Sequence, residues 1–285
     1  MPFIQSTQIQ LHYLDNPAHD GSESTPLILM PGLTANVHSF DGLINAGLSQ
    51  SRRVLTVDLR GRGLSDHPNS GYSMADHATD IIGMMDVLGL DKVNIGGHSF
   101  GGLLAMYLAA HYPERIHQLV IIDAAGQLHP DARQLIQPAI DRLAQTYASF
   151  EVYLAQVKQF PFYLGWWDDD LDTYYHADVI TLTDGQVKPR SNPAHIVEAI
   201  DKGLLEDWAA HIQKIEQPLL LLNALGAYGP VGAPPLLTKA LAMETVNAVT
   251  KGQYVEIEGN HQTMLFAKGA GQIVRAVQAF LASSF

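Results

Sequence analysis

Residues 96–102 read GGHSFGG, and the types around Ser99 suit nucleophilic chemistry. A serine hydroxyl attacks a carbonyl only when a base removes its proton, and the base needs a partner that fixes its tautomer. The serine must also stand clear of its own chain. A turn that leads from a strand into a helix achieves this, at the expense of a sparsely populated backbone conformation. Side chains two residues before and after would collide there. Gly97 and Gly101 occupy those two positions, with the apolar run KVNIGG before the serine and the helix-forming run GLLAMYLAA after it. A bystander serine in a glycine-rich turn would need neither run.

The elements that must position Ser99 follow from the hydrophobic pattern. Short apolar runs at 26–30, 52–61, 92–97, 117–126, 216–225 and 253–261 alternate with segments of helical period at 72–90, 102–113 and 272–284. That alternation predicts a mostly parallel sheet with helices on both faces. The N-terminal MPFIQSTQIQLHYLD alternates like a further strand. Residues 127–212 carry no strand signal, and strands resume at 218. The expected organisation is a core of residues 1–126 and 213–285, with 127–212 inserted as a helical cap.

GHSFG after a strand, DLRGRGLSDHP (58–68), HYPERIHQLVIID (111–123) and GNH (259–261) occur in the order in which the α/β-hydrolase fold places them. Together they span nearly the whole chain, which on these motifs resembles that superfamily. The resemblance implies a doubly covered α/β sheet and an order of serine, acid, then histidine. It makes His261 the base, on a Gly-Asn turn between a strand and the last helix. His98 adjoins the nucleophile but is expected to turn away from it and to pack or line the pocket; His211 is a distant second choice for the base. Most relatives supply the acid after the strand written here as EQPLLLLNAL, yet no Asp or Glu occurs from Gln217 to Thr238. Some branches place it one strand earlier, which makes Asp123 the expected acid, with Asn223 as a neutral alternative. The oxyanion donors implied are the backbone N–H groups of Phe100 and Leu33, with the Thr34 hydroxyl as a possible addition. The missing later acid, PGLTANVHSF and DGQVKPR are similar to the (acetamidomethylene)succinate hydrolase branch; enol-lactonases and carbon–carbon bond hydrolases share the core.

Other features are weighed and set aside. GRGLSD (61–66) begins like a dinucleotide fingerprint but ends in Asp66 where glycine belongs. DDDLDTYYHADV (168–179) has calcium-loop acids but Thr173 and Val179 at the glycine and glutamate positions, and reads as a solvated acidic loop. No metal and no organic cofactor are expected. The aromatic residues from Phe160 to Tyr175 are split between cap core and pocket wall, with Trp166 and Trp167 as candidate substrate contacts. Lys188, with Arg190, is a candidate partner for a substrate carboxylate.

Composition narrows the partners. With 285 residues, 47% of them hydrophobic and 16% charged, the chain has ample material for a core. A net charge of −12 argues against nucleic acid. The absence of cysteine excludes thiolate chemistry and disulfides. No signal-peptide pattern and no run near the ~18 apolar residues of a membrane span are read, so the expected compartment is the cytoplasm. The expected activity is hydrolysis of a small ester, lactone or amide through an acyl-enzyme on Ser99. A lyase or cofactor-independent oxygenase on the same fold, or a ligand receptor that kept the elbow, remain the rivals; oligomeric state is left open.

Overall fold

The apolar runs become strands buried on both faces. The computed structural model describes residues 2–127, 132–230 and 232–283. Its strands are β1 Phe3–Gln5, β2 Gln10–Asn16, β3 Leu27–Met30, β4 Val54–Val57 and β5 Val93–His98. They continue with β6 Ile116–Ile122, β7 Val179–Thr181, β8 Val187–Pro189, β9 Leu219–Ala224 and β10 Gly252–Ile257. The first five helices are α1 Asp41–Asn45, α2 Met74–Val87, α3 Phe100–His111, α4 Ala132–Leu143 and α5 Phe150–Val157. The others are α6 Asp169–Asp178, α7 Pro193–Leu204, α8 Trp208–Ile212, α9 Lys239–Ala248 and α10 Ala267–Leu281.

Eight strands form one sheet in the order β1-β2-β4-β3-β5-β6-β9-β10. The β1–β2 and β2–β4 pairs are antiparallel and every other pair is parallel. Strand periodicity sends alternate side chains to opposite faces. Ile28, Ile95, Ile121 and Leu221 join a cluster with α2, α3 and α9, while Leu29, Val120, Ile122 and Leu222 join one with α1 and α10. Burying each such side chain contributes about 1.5–3 kcal/mol, which is why the central strands read as unbroken apolar runs. From β3 the chain passes to β4 on one side, then to β5 on the other. That reversal opens a crevice at the carboxyl ends of the parallel strands, where α/β sheets hold their ligands.

The DLRGRGLSD stretch builds the turn after β4. Asp58 accepts from the N–H groups of Val37 and Leu64 at 2.8 and 2.9 Å, and Arg60 grips Asp80 of α2 through two bonds of 2.6 and 2.7 Å. Gly63 has φ 52°, and a Cβ there would lie 2.1 Å from the Asp58 carboxylate.

Between β6 and β9 the chain holds α4 to α8, with residues 128–131 of the expected cap outside the described residues. Two expectations change here. A strand pair does occur: β7 and β8 form an antiparallel hairpin, with Val179 opposite Pro189 and Thr181 opposite Val187. Its turn carries Asp184-Gly185, with Gly185 at φ 84°. The acidic stretch is also not a loop. Asp168 caps α6, its carboxylate accepting from the Leu171 N–H at 3.0 Å, and the acids that follow favour the positive end of the helix dipole. Among the described residues no helix is long and apolar enough to cross a membrane, and no group of three or more His, Asp or Glu is placed to hold a metal.

Candidate active site

Ser99 turns the chain from β5 into α3 with φ 54° and ψ −117°, a region that residues with a Cβ rarely enter. Backbone bonds hold it there. Its N–H donates to the Ile122 carbonyl at 2.9 Å, and its carbonyl accepts from Gly102 and Leu103 at 2.8 and 3.0 Å. The flanking glycines are sterically required. A Cβ on Gly97 would lie 2.3 Å from the Gly101 carbonyl carbon, and one on Gly101 2.0 Å from the Met30 carbonyl oxygen.

Ser99 lines a cavity of about 110 Å³ at the carboxyl ends of five strands. Leu33 enters it after β3, Asp123 after β6, Tyr228 after β9 and His261 after β10. The inserted segment closes it with Ile140, Tyr174 and Ile200.

Asp123 also takes a left-handed conformation, φ 51°, fixed by its N–H donating to the Leu222 carbonyl at 2.7 Å. The turn aims its carboxylate at His261, whose Nδ1 lies 2.7 Å from Oδ2. Both side chains are buried, at 0% and 7% exposure, so water does not screen the contact. The other oxygen, Oδ1, accepts from Asn223 Nδ2 at 2.8 Å and from the Ala224 N–H at 2.9 Å. Asn223 thus serves the carboxylate and does not reach the imidazole. Its remaining bonds, to the Leu237 carbonyl and from the Tyr254 hydroxyl, hold the amide in that orientation.

His261 sits on a turn organised by Asn260, whose Oδ1 accepts from the Gln262 and Thr263 N–H groups at 3.1 Å. The Asn260 amide donates to the Phe162 carbonyl at 2.8 Å, tying this turn to the inserted segment. His98 lies against His261, ring centroids 4.5 Å apart, and its Nε2 is 2.7 Å from the His261 carbonyl. Burial holds the His98 imidazole well below the usual histidine range, so it is neutral and donates that bond. Tyr228 meets the His261 ring edge-on at 5.3 Å, and burial pushes its phenol up to about 12.

The loop after β3 approaches the elbow closely: a Cβ on Gly32 would lie 3.6 Å from that of Ser99. The Leu33 N–H has no protein acceptor among the described residues, and Phe100 is the first residue of α3, where helix N–H groups lack intrahelical acceptors. Behind both stands Arg62. It is fully buried, donates to the Leu33 carbonyl at 3.0 Å, and holds its guanidinium carbon 5.2 Å from the centre of the Phe100 ring. Burial without a carboxylate partner lowers its pKa to about 9.

The sequence candidates divide. Ser99, Asp123, His261, Leu33, Phe100 and Thr34 all line the one cavity; Trp166, Trp167 and Lys188 do not. Trp167 is used in packing: its ring stacks on Tyr175 at 5.7 Å, and its N–H donates to Asp172 at 2.9 Å. Lys188 is exposed on the β7–β8 hairpin, and Arg190 donates to the Ala177 carbonyl at 3.0 Å. His211 sits on α8 between Glu206 and His111, away from the cavity. Of the cap aromatics divided between core and pocket wall, Tyr174 is the one that lines the cavity, while sequence reasoning did not find the role of Asn260 or Tyr228. The Gly-Asn-His run held a signal for the first, since asparagine readily caps turns through its side chain. No local pattern marks Tyr228.

Comparison with known proteins agrees with this architecture. The family model described as alpha/beta hydrolase fold matches residues 25–171. A 2-hydroxymuconate semialdehyde hydrolase of Pseudomonas putida is 40% identical over 116 residues, 39% of this chain and 41% of that protein. A 2-(acetamidomethylene)succinate hydrolase of Mesorhizobium japonicum is 27% identical over 213 residues, 70% of each chain. The crystal structure of E-2-(acetamidomethylene)succinate hydrolase superposes with a TM-score of 0.83 at 21% identity, covering 99% of this chain and 100% of that one. An enol-lactonase from Burkholderia xenovorans gives 0.70 at 23% identity, with coverages of 99% and 100%.

Proposed function

The chain belongs to the alpha/beta hydrolase fold family, and from that premise we propose that it is a serine hydrolase of small carbonyl substrates, ester, lactone or amide. The observation that carries this reading is the 2.7 Å contact between Asp123 and His261 in the wall of the cavity that Ser99 lines. With Nδ1–H donated to the carboxylate, His261 offers Nε2 as base and takes the Ser99 proton. The Ser99 oxygen then attacks the carbonyl carbon, and the developing oxyanion accepts from the N–H groups of Leu33 and Phe100. His261 returns the proton to the leaving group, leaving an acyl-enzyme. Water, deprotonated by the same imidazole, attacks the acyl carbon, and Ser99 leaves with its proton restored. Asp123 stays ionised throughout and stabilises the imidazolium. Residues 127–212 act as a cap over this site, on a core of 1–126 and 213–285.

Rapid mixing with p-nitrophenyl acetate tests the reading. The wild type is expected to release nitrophenolate in a burst of about one equivalent, followed by a slower steady phase. Ser99→Ala is expected to show neither, and a fluorophosphonate should label Ser99 of the wild type. Equal release by both proteins would move the chemistry elsewhere. Ligand binding without labelling or turnover would favour the receptor alternative.

A further inference from the structure

Much of the cavity wall is aliphatic, with Leu103, Ile136, Ile140, Ile200 and Leu237 among its residues. No lysine or arginine lines it among the described residues, and residues 1, 128–131, 231 and 284–285 contain neither. Two buried arginines have groups of this wall as neighbours, and neither lines the cavity. Arg142, on α4 with Ile136 and Ile140, donates to Asp178 and to the Tyr153 hydroxyl. The Tyr153 and Tyr175 rings cover its guanidinium at 5.7 and 5.8 Å. Arg62 lies behind Leu33 and Phe100; its Nε and Nη1 meet the Leu33 and Arg60 carbonyls and His77, while its Nη2 is buried behind the wall with no partner among the described residues.

The other polar groups of the wall are uncharged: Thr34, Gln262, His98 and the phenols of Tyr174 and Tyr228. Neither phenol hydroxyl has a hydrogen-bond partner among the described residues, so both can donate to an uncharged oxygen of a ligand. The one fixed charge is the Asp123 carboxylate, already matched to His261. A second carboxylate buried here would lose its hydration, meet no cation and face a like charge.

We infer that this site accepts small uncharged acyl groups and rejects substrates whose acyl part carries a carboxylate. The inference rests on the serine-hydrolase reading for its term "acyl", but its charge rule concerns binding alone. The test uses isosteres: p-nitrophenyl 4-methylpentanoate against mono-p-nitrophenyl succinate, in which two carboxylate oxygens replace two methyl groups. For the wild type, kcat/KM is expected to be higher for the neutral ester by about a hundredfold or more. Equal values, or a preference for the succinate, would overturn the rule. A second measurement does not need catalysis. Calorimetry on Ser99→Ala should show 4-methylpentanamide binding more tightly than succinamate. Comparable binding, tighter binding of the anion, or binding of neither would overturn the inference. Silence of the wild type on both esters would sink the hydrolase reading, and the calorimetry would still decide the charge rule.

Discussion

Asp123→Asn exchanges one carboxylate oxygen for an amide NH2 and asks nothing new of the backbone, because asparagine tolerates the φ of 51° at this position as well as aspartate does. The geometry allows the amide two poses. In one, its oxygen keeps the bonds from Asn223 Nδ2 and the Ala224 N–H, at 2.8 and 2.9 Å, and its NH2 faces His261. Nδ1 must then be unprotonated, so the ring proton moves to Nε2, the atom that has to receive the Ser99 proton. In the other, the oxygen faces His261 and the NH2 confronts two donors, losing two buried hydrogen bonds at roughly 1–3 kcal/mol each. The first pose wins, and restoring the working tautomer costs about 2–6 kcal/mol. At 1.4 kcal/mol per decade this is a loss in kcat of roughly 30-fold to 10⁴-fold, and the corresponding exchange in a serine protease gives ~10⁴. Turnover of p-nitrophenyl acetate, followed at pH 7 to 8 beside a circular-dichroism melt, measures it. A variant that stays folded and retains kcat within threefold of the wild type would refute the role given to Asp123.

Three further outcomes are expected. Asn223→Ala removes one donor from Asp123 and leaves the Tyr254 hydroxyl and the Leu237 carbonyl short of a partner, so kcat should fall by roughly tenfold to a hundredfold; an unchanged kcat would show that the Ala224 N–H alone holds the carboxylate. Gly101→Ala puts a methyl group against the Met30 carbonyl, and a loss of ~1–3 kcal/mol in urea denaturation should accompany loss of Ser99 labelling; a stable, reactive variant would contradict the steric account of the elbow. Burial holds His77 and His98 well below the usual histidine range, so below pH 6.5 the unfolded chain binds protons that the folded one refuses. Stability contributed by these two groups is therefore complete above pH 6.5 and falls on acidification by up to ~1.4 kcal/mol per pH unit for each, a slope that His98→Gln should reduce in melts between pH 7 and 5.

Steric necessity is what made the centre of the site readable. Ser99 needed a strand before it, a helix after it and glycines at 97 and 101, and each demand left a mark within a dozen residues. Asp123 was readable through an absence, the stretch from Gln217 to Thr238 without a carboxylate. The cavity wall left no such mark. Ile140, Ile200 and Tyr228 meet across long stretches of chain, and nothing in an aliphatic or aromatic residue's neighbours says which cavity it will face. The hairpin of β7 and β8 escaped notice because its strands have three residues each, although Asp184-Gly185 is a recognised hairpin turn. Trp166, Trp167 and Lys188 were chosen by residue type, and side-chain chemistry without position does not decide between packing and binding.

Ser99 and Asp123 follow directly on His98 and Ile122, which are paired residues of adjacent parallel strands. The nucleophile and the acid therefore ride on one rigid ladder at the middle of the sheet. The loop after β9 carries no charge partner for the base and contributes Tyr228, Leu236 and Leu237 to the cavity instead. Labour is divided along the sheet: one strand pair holds the reaction geometry and the neighbouring loop shapes what enters. Such a division makes the positions of Tyr228 and Leu236 a natural place to graft a new preference, whereas Gly226, whose N–H donates to the Gly259 carbonyl at 2.9 Å and which has no room for a Cβ, stays bound to the turn that carries His261.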